Sequence, residues 1–280
     1  MTDWEAQYNP RCSVPDFDQY VAAGKAKSDA AYQRLTDIEE HRYGPSPLST
    51  LDLRRTAQKD KPVFVFVHGG YWRGRDKRDF GYLFTALEQI DVNVVILNYD
   101  LCPNVTVAQI CQQVRRAMLW LHANAQSLGF SANDIYVAGH SAGAHLTAMV
   151  LAQPPGAFHI PDGLIKKAYL ISGIYELSPV LHVSVNDEIK LAAHDIGDVS
   201  PIHFPPAKET LYDVVVGGAE PEGWIAQSVD FEKHLNQSGA TSTFTLLADR
   251  HHYSIMQDLE SPDGVLLAGF INDMTGGSNV

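Results

Sequence analysis

The run Gly139-His140-Ser141-Ala142-Gly143 follows the apolar stretch Ile135–Ala138 and leads into a run of small and apolar residues ending at Leu151. Glycine on both flanks removes the side chains that would block a tight strand-to-helix corner. A serine on that corner has its hydroxyl free, and the helix that begins beside it favours negative charge nearby. The spacing therefore makes Ser141 a candidate nucleophile. His140, inside the same corner, is a candidate substrate contact.

A serine hydroxyl needs a general base, and attack on a carbonyl needs donors for the oxyanion that forms. Gly69, Gly70 and Tyr71, after the apolar run Val63–Val67, can offer backbone N–H groups at close range, and Ala142 can offer another from the corner itself. His68 reads as a residue that orients this loop. The chain order expected for such a corner is serine, acid, histidine. His251 and His252 both lie late enough to be the base, and spacing does not separate them. His145, one helical turn past Ser141, reads as a packing histidine. The acid should follow the apolar run Val214–Val216, where Glu220 stands and Glu222 is its rival; Asp213 and Asp249 are less suitably placed. A carboxylate there would hold the imidazole tautomer and stabilise the imidazolium.

Aromatic residues collect near these loops: Tyr71, Trp72, Tyr99 and Tyr175. Trp72 and Tyr71 are candidates for the wall of an acyl or leaving-group pocket, with Tyr175 as a further contact; Tyr99 reads as packing. An aromatic wall would suit an aryl substrate.

The elements that must position these groups follow from the hydrophobic pattern. Continuous β-branched and aromatic runs at 62–68 and 92–99 predict buried strands, further strands are expected at 134–139, 166–173, 210–218 and 241–248, and helical runs alternate with them at 78–90, 107–126 and 141–153, the last closed by Pro154-Pro155. This alternation predicts an α/β fold with a doubly wound, mostly parallel sheet, which carries ligands beyond the carboxyl ends of its strands. Residues 16–40 show helical spacing, with Val21, Ala22, Ala26, Ala30 and Leu35 suggesting one face; Gly44-Pro45 and Pro47 mark the turn of an edge hairpin. Residues 1–60 thus read as an N-terminal helix and hairpin. The polar, proline-broken stretch 174–206 reads as a small helical cap over the site. A terminal helix is expected near 254–273, with Pro262-Asp263-Gly264 as an interruption. The whole chain, 1–280, reads as one domain.

Of the 280 residues, 45% are hydrophobic, enough for a substantial core. The net charge of −12 without a basic stripe argues against nucleic acid or an anionic membrane as partner. Cys12, Cys102 and Cys111 form no C-x-x-C, which argues against a disulfide framework or zinc ribbon and fits a cytoplasmic protein. No apolar run approaches the roughly 20 residues of a membrane span, and the N-terminus has no secretory apolar core. Twelve histidines include no H-E-x-x-H, so no metal or other cofactor is expected. The expected partner is a small-molecule substrate; a homodimer is the oligomeric expectation.

With these loops in hand, the sequence resembles the serine-dependent kynurenine formamidases, or arylformamidases, of the α/β-hydrolase superfamily. The resemblance rests on HGGYW (68–72), where many esterases have HGGG, on GHSAGAHL (139–146), and on NYDLCPNVT (98–106). It rests also on the cap segments ELSPVLHVSVND and DVSPI, on VGGAEPEGWIAQS (216–228), which keeps Gln227-Ser228, and on HHYSI (251–255). It runs from about Tyr43 to the C-terminus. It implies hydrolysis of N-formyl-L-kynurenine to kynurenine and formate through a formyl-enzyme intermediate, without a metal. It aligns His252 with the family's catalytic histidine and Glu220 with its acid, usually aspartate. The glutamate is a departure that weakens transfer of the exact substrate, and a carboxylesterase acting on small aryl or short-acyl esters is the alternative. The His-x-Gly-Thr-His run of the metal-dependent formamidases is absent. For the amino-acid end of such a substrate, the cap offers Asn186 or Ser184.

Overall fold

The computed structural model describes residues 2–154 and 159–276; Pro155, expected to help close a helix, lies outside them. In chain order the helices are α1 (Trp4–Tyr8), α2 (Pro10–Ser13), α3 (Phe17–Arg34), α4 (Tyr82–Ala86), α5 (Val107–Leu128), α6 (Ala142–Leu151), α7 (Asn186–Ile189), α8 (Ile196–Val199), α9 (Glu222–Gln237) and α10 (Val265–Thr275). The strands are β1 (Ile38–Arg42), β2 (Thr50–Arg54), β3 (Lys61–Val67), β4 (Asn93–Leu97), β5 (Phe130–His140), β6 (Ile165–Ile171), β7 (Leu211–Gly217) and β8 (Thr241–Leu247).

They form one eight-stranded sheet in the order β1-β2-β4-β3-β5-β6-β7-β8. The hairpin β1–β2 adds antiparallel to β4, and every later pairing is parallel. This is the α/β-hydrolase arrangement. Because side chains alternate across a strand, β3 sends Val63, Val65 and Val67 into one apolar layer and Phe64 and Phe66 into the other. The first layer holds α5, α6 and α9; the second holds α3, α4 and α10. Burial on both faces is why β3 and β4 read as nearly unbroken apolar runs, whereas β8 at the sheet edge is largely exposed. The 22-residue α5 starts at a capping box between Thr106 and Gln109 and stops at Gly129, whose φ of 85° suits a left-handed cap.

Three expectations need correction. The helix read over 16–40 ends at Arg34, and Ile38–Arg42 is a strand, because pairing with β2 claims it. The buried face of α3 is Gly24, Ser28 and Ala31, while Ala22, Ala26 and Ala30 are exposed. Alanines bring little apolar area to drive burial. The smaller positions instead let the helix approach closely enough for Ser28 Oγ to donate to the Asp79 carbonyl at 2.8 Å. Finally, α9 was not anticipated. Its inward positions are Trp224, Gln227, Ser228, Phe231 and Leu235, and the two polar residues among them mask the apolar periodicity. The 174–206 stretch consists of short helical turns, as expected.

Candidate active site

Five loops leave the carboxyl edge of the sheet and converge. After β5, Ser141 has φ 57° and ψ −120°, a conformation rare for any residue but glycine. The corner is tolerated because its flanks cannot carry side chains: a Cβ at Gly139 would lie 2.3 Å from the Gly143 carbonyl oxygen, and one at Gly143 only 2.0 Å from that of Val67. The Ser141 N–H donates to the Ile171 carbonyl at 2.8 Å, pinning the corner to β6.

His252, on the loop after β8, places Nε2 3.0 Å from Ser141 Oγ. Its Nδ1–H donates to Glu220 Oε2 at 2.8 Å. The other carboxylate oxygen of Glu220 accepts from Ser172 Oγ at 2.5 Å and from the Gly217 N–H at 2.9 Å. The Glu220 side chain is wholly buried and that of His252 nearly so. Trp224 stands edge-on to the His252 ring at 4.7 Å and donates its indole N–H to the Ser172 carbonyl at 2.7 Å. The structure thus brings Ser141, His252 and Glu220 into one hydrogen-bonded line. It also separates the rivals. His251 Nδ1 accepts from the backbone of Tyr253 and Ser254, which turns the loop. Glu222 is exposed in the first turn of α9, Asp213 pairs with Lys167, and Asp249 is exposed.

His140 donates from Nε2 to the His252 carbonyl at 2.9 Å, and its ring lies 4.8 Å from that of His252. Burial, with His252 alongside, pushes its pKa well below the ordinary imidazole range, so it is a neutral donor.

The loop after β3 passes beside the serine: a Cβ on Gly69 would sit 3.1 Å from the Cβ of Ser141. Gly70 has φ 110°, and a side chain there would meet the Gly74 carbonyl oxygen at 2.3 Å. Tyr71 and Trp72 follow with φ 54° and 55°, a strained pair costing about 1–3 kcal/mol each. Their side chains hold them there. The Tyr71 hydroxyl donates to the Tyr8 carbonyl at 2.6 Å, and the Trp72 indole N–H donates to His145 Nδ1 at 3.1 Å. His145 in turn donates from Nε2 to the Val199 carbonyl at 2.7 Å, and burial pushes its pKa down to about 4. His68 lies stacked on Tyr99 at 4.3 Å and bonds the Gly69 carbonyl, which steadies the loop from below. Ala142 opens α6 directly after the serine, so its N–H belongs to the unpaired first turn.

A cavity of about 350 Å³ opens here, within the range of small-molecule sites. Gly69, Gly70, Tyr71, His140, Ser141 and His252 line it. Three expected contacts do not. Trp72 is completely buried, because its indole is spent on His145. Tyr175 is buried and stacked on Phe231 at 4.1 Å. Asn186 closes its own loop by bonding both backbone groups of Leu191, and from the cap Val185 lines the cavity, not Ser184. The sequence reading missed the N-terminal segment: Asn9, Pro10, Arg11, Phe17 and Asp18 also line the cavity. Nothing in their spacing signals this. Among the described residues no group of three or more His, Cys, Asp or Glu could hold a metal ion, and no helix is long and apolar enough to cross a membrane.

Comparison with known proteins fits this geometry. The BD-FAE family model matches residues 51–154, which hold β3, its loop and the serine corner. The kynurenine formamidase of Danio rerio is 29% identical over 99% of this chain and 100% of its own length. Esterase LipQ of Mycobacterium tuberculosis is 27% identical over 75% of this chain and 55% of its own. Among solved structures, a Silicibacter sp. tm1040 protein provisionally termed a thioesterase superposes with a TM-score of 0.80 at 27% identity, covering 93% of this chain and 96% of that one. The chain is a hydrolase with the α/β-hydrolase fold, similar over nearly its whole length to kynurenine formamidases.

Proposed function

We propose that the protein is an arylformamidase that hydrolyses N-formyl-L-kynurenine to kynurenine and formate. The observation that carries this reading is the buried Ser141–His252–Glu220 line opening on one cavity beside Gly69–Tyr71, in a chain whose full-length relatives are named kynurenine formamidases.

Ser141 Oγ attacks the formyl carbon while its proton passes to His252 Nε2. Glu220 keeps the other ring nitrogen protonated and stabilises the imidazolium. The carbonyl oxygen becomes an oxyanion, held by the N–H groups of Gly70, Tyr71 and Ala142. His252 then delivers its proton to the aniline nitrogen, the C–N bond breaks and kynurenine leaves. Water attacks the formyl ester, giving its proton to the same imidazole, and formate departs as Ser141 recovers its proton. An anilide nitrogen is a better leaving group than an alkyl amine, so an esterase-like site suffices.

The second reading, a carboxylesterase for small aryl or short-acyl esters, is favoured by the likeness to esterase LipQ. Steady-state kcat/KM with N-formyl-L-kynurenine and with p-nitrophenyl acetate separates the two. Formylkynurenine turnover at the uncatalysed rate, with the ester cleaved, would replace the first reading by the second.

A further inference from the structure

The cavity around Ser141 is lined by six formally charged residues besides its histidines: Arg11, Asp18, Arg73, Arg75, Asp79 and Glu260. Four of them are already paired. Arg73 bonds Glu188, Arg75 lies 3.1 Å from Asp79, and Glu260 bonds Lys27. Arg11 and Asp18 are different: among the described residues neither has an opposite charge within ion-pair distance. Both line the cavity. The Arg11 guanidinium lies over the Phe17 ring at 5.1 Å, and Phe17 is Asp18's neighbour in the chain. The Phe17 ring is 5.5 Å from that of Tyr253. Burial pushes the Tyr253 hydroxyl up, while the charge of Arg11 and its hydrogen bond to the phenol act the other way.

We propose that Arg11 and Asp18 form a subsite for a zwitterionic α-amino-acid head group, Arg11 taking the carboxylate and Asp18 the ammonium. This deepens the formamidase reading and rests on it for the identity of the substrate. A planar guanidinium presents five N–H donors, so one edge can make a two-pronged bond to a carboxylate. Asp18 sits in the first turn of α3. The aryl ring of the substrate would then span from Ser141 toward Phe17 and Tyr253. A neutral ester has nothing to offer these two charges, so the subsite selects amino-acid substrates. It also gives the N-terminal segment a role: α2 and the start of α3 supply both recognition groups.

The test measures binding by calorimetry in a Ser141→Ala background, so that no turnover is needed. The ligands are N-formyl-L-kynurenine and 2-formamidoacetophenone, which keeps the ring and formamide but lacks the head group. Arg11→Gln and Asp18→Asn should each weaken N-formyl-L-kynurenine about tenfold more than they weaken 2-formamidoacetophenone. In the active enzyme the same variants should raise KM for N-formyl-L-kynurenine more than they lower kcat, and Arg11→Lys should recover part of the loss. Equal weakening of both ligands, no weakening of either, or no binding of N-formyl-L-kynurenine by the Ser141→Ala protein would overturn the subsite. The formamidase reading fails by a different result: wild-type enzyme that leaves N-formyl-L-kynurenine intact. The binding comparison then still decides whether Arg11 and Asp18 select the head group.

Discussion

Replacing Glu220 by glutamine isolates one role in the line of hydrogen bonds. The carboxylate has two jobs. One oxygen accepts from Ser172 Oγ at 2.5 Å and from the Gly217 N–H at 2.9 Å, and the other accepts from His252 Nδ1–H at 2.8 Å. A glutamine has one oxygen and one NH₂. The two donors on the Ser172–Gly217 side fix the amide oxygen there, because turning the amide over would face donor with donor in a buried site. The NH₂ must then donate to His252 Nδ1. That forces the imidazole into the tautomer with hydrogen on Nε2, 3.0 Å from Ser141 Oγ, where it donates instead of accepting the serine's proton. The fold keeps its bonds and the base is lost. The expected fall in kcat is about 10⁴-fold, equivalent to about 5.5 kcal/mol of barrier, the size of loss seen when a triad acid becomes an amide. The assay is steady-state hydrolysis of N-formyl-L-kynurenine and p-nitrophenyl acetate, with thermal unfolding to show that the variant is folded. Glu222→Gln is the control and should stay within about twofold, as an exposed surface change does. A Glu220→Gln enzyme within about tenfold of wild type would refute the tautomer reasoning, as would an equal loss from Glu222→Gln.

Ser141→Ala should lower kcat by several orders of magnitude while leaving the fold intact, read by the same assay. Gly143→Ala drives a methyl group to 2.0 Å from the Val67 carbonyl oxygen and should cost about 3 kcal/mol in urea unfolding. Trp72→Phe removes the donor to buried His145 and loosens a loop held at positive φ; stability should fall by about 1–2 kcal/mol, with a loss of kcat. His145 has its folded pKa depressed to about 4 against an ordinary 6.5, so the unfolded chain binds the proton more readily. Stability is therefore full above about pH 6.5 and falls as pH drops toward 4, by about 3 kcal/mol from this group; urea unfolding across that window, compared with His145→Gln, measures the slope.

Much of this architecture was legible before any coordinates. The runs Val63–Val67 and Asn93–Leu97 could only be strands covered on both faces, since no surface position interrupts them. The glycines around Ser141 implied a corner in which side chains cannot fit, and the distances now show which carbonyl oxygens forbid them. Where the reading failed, polarity or size misled it. Gln227 and Ser228 are buried on α9, and Gln227 faces inward because its Oε1 accepts from the backbone of both Tyr175 and Glu176 at 2.9 Å, a demand invisible in one dimension. Ala22, Ala26 and Ala30 are apolar, yet no partner surface faces them.

The aromatic residues mark the limit most clearly. Hydrophobicity says that Trp72 and Tyr175 will be removed from water, but a cavity wall and a packed core satisfy that requirement equally. Only the position of His145 and Phe231, brought from distant parts of the chain, assigns both rings to the core. The sequence by itself determined the sheet, the strained corner and the order in which Ser141, Glu220 and the late histidine pair follow their strands, because these depend on local sterics and on strand sequence. The tertiary structure decided which of two histidines meets Ser141 and which of two glutamates meets that histidine. It also brought a polar N-terminal segment into the lining of the cavity. Hydrogen-bond partners and pocket walls are set by contacts between residues far apart in the chain, and local periodicity carries no information about those contacts.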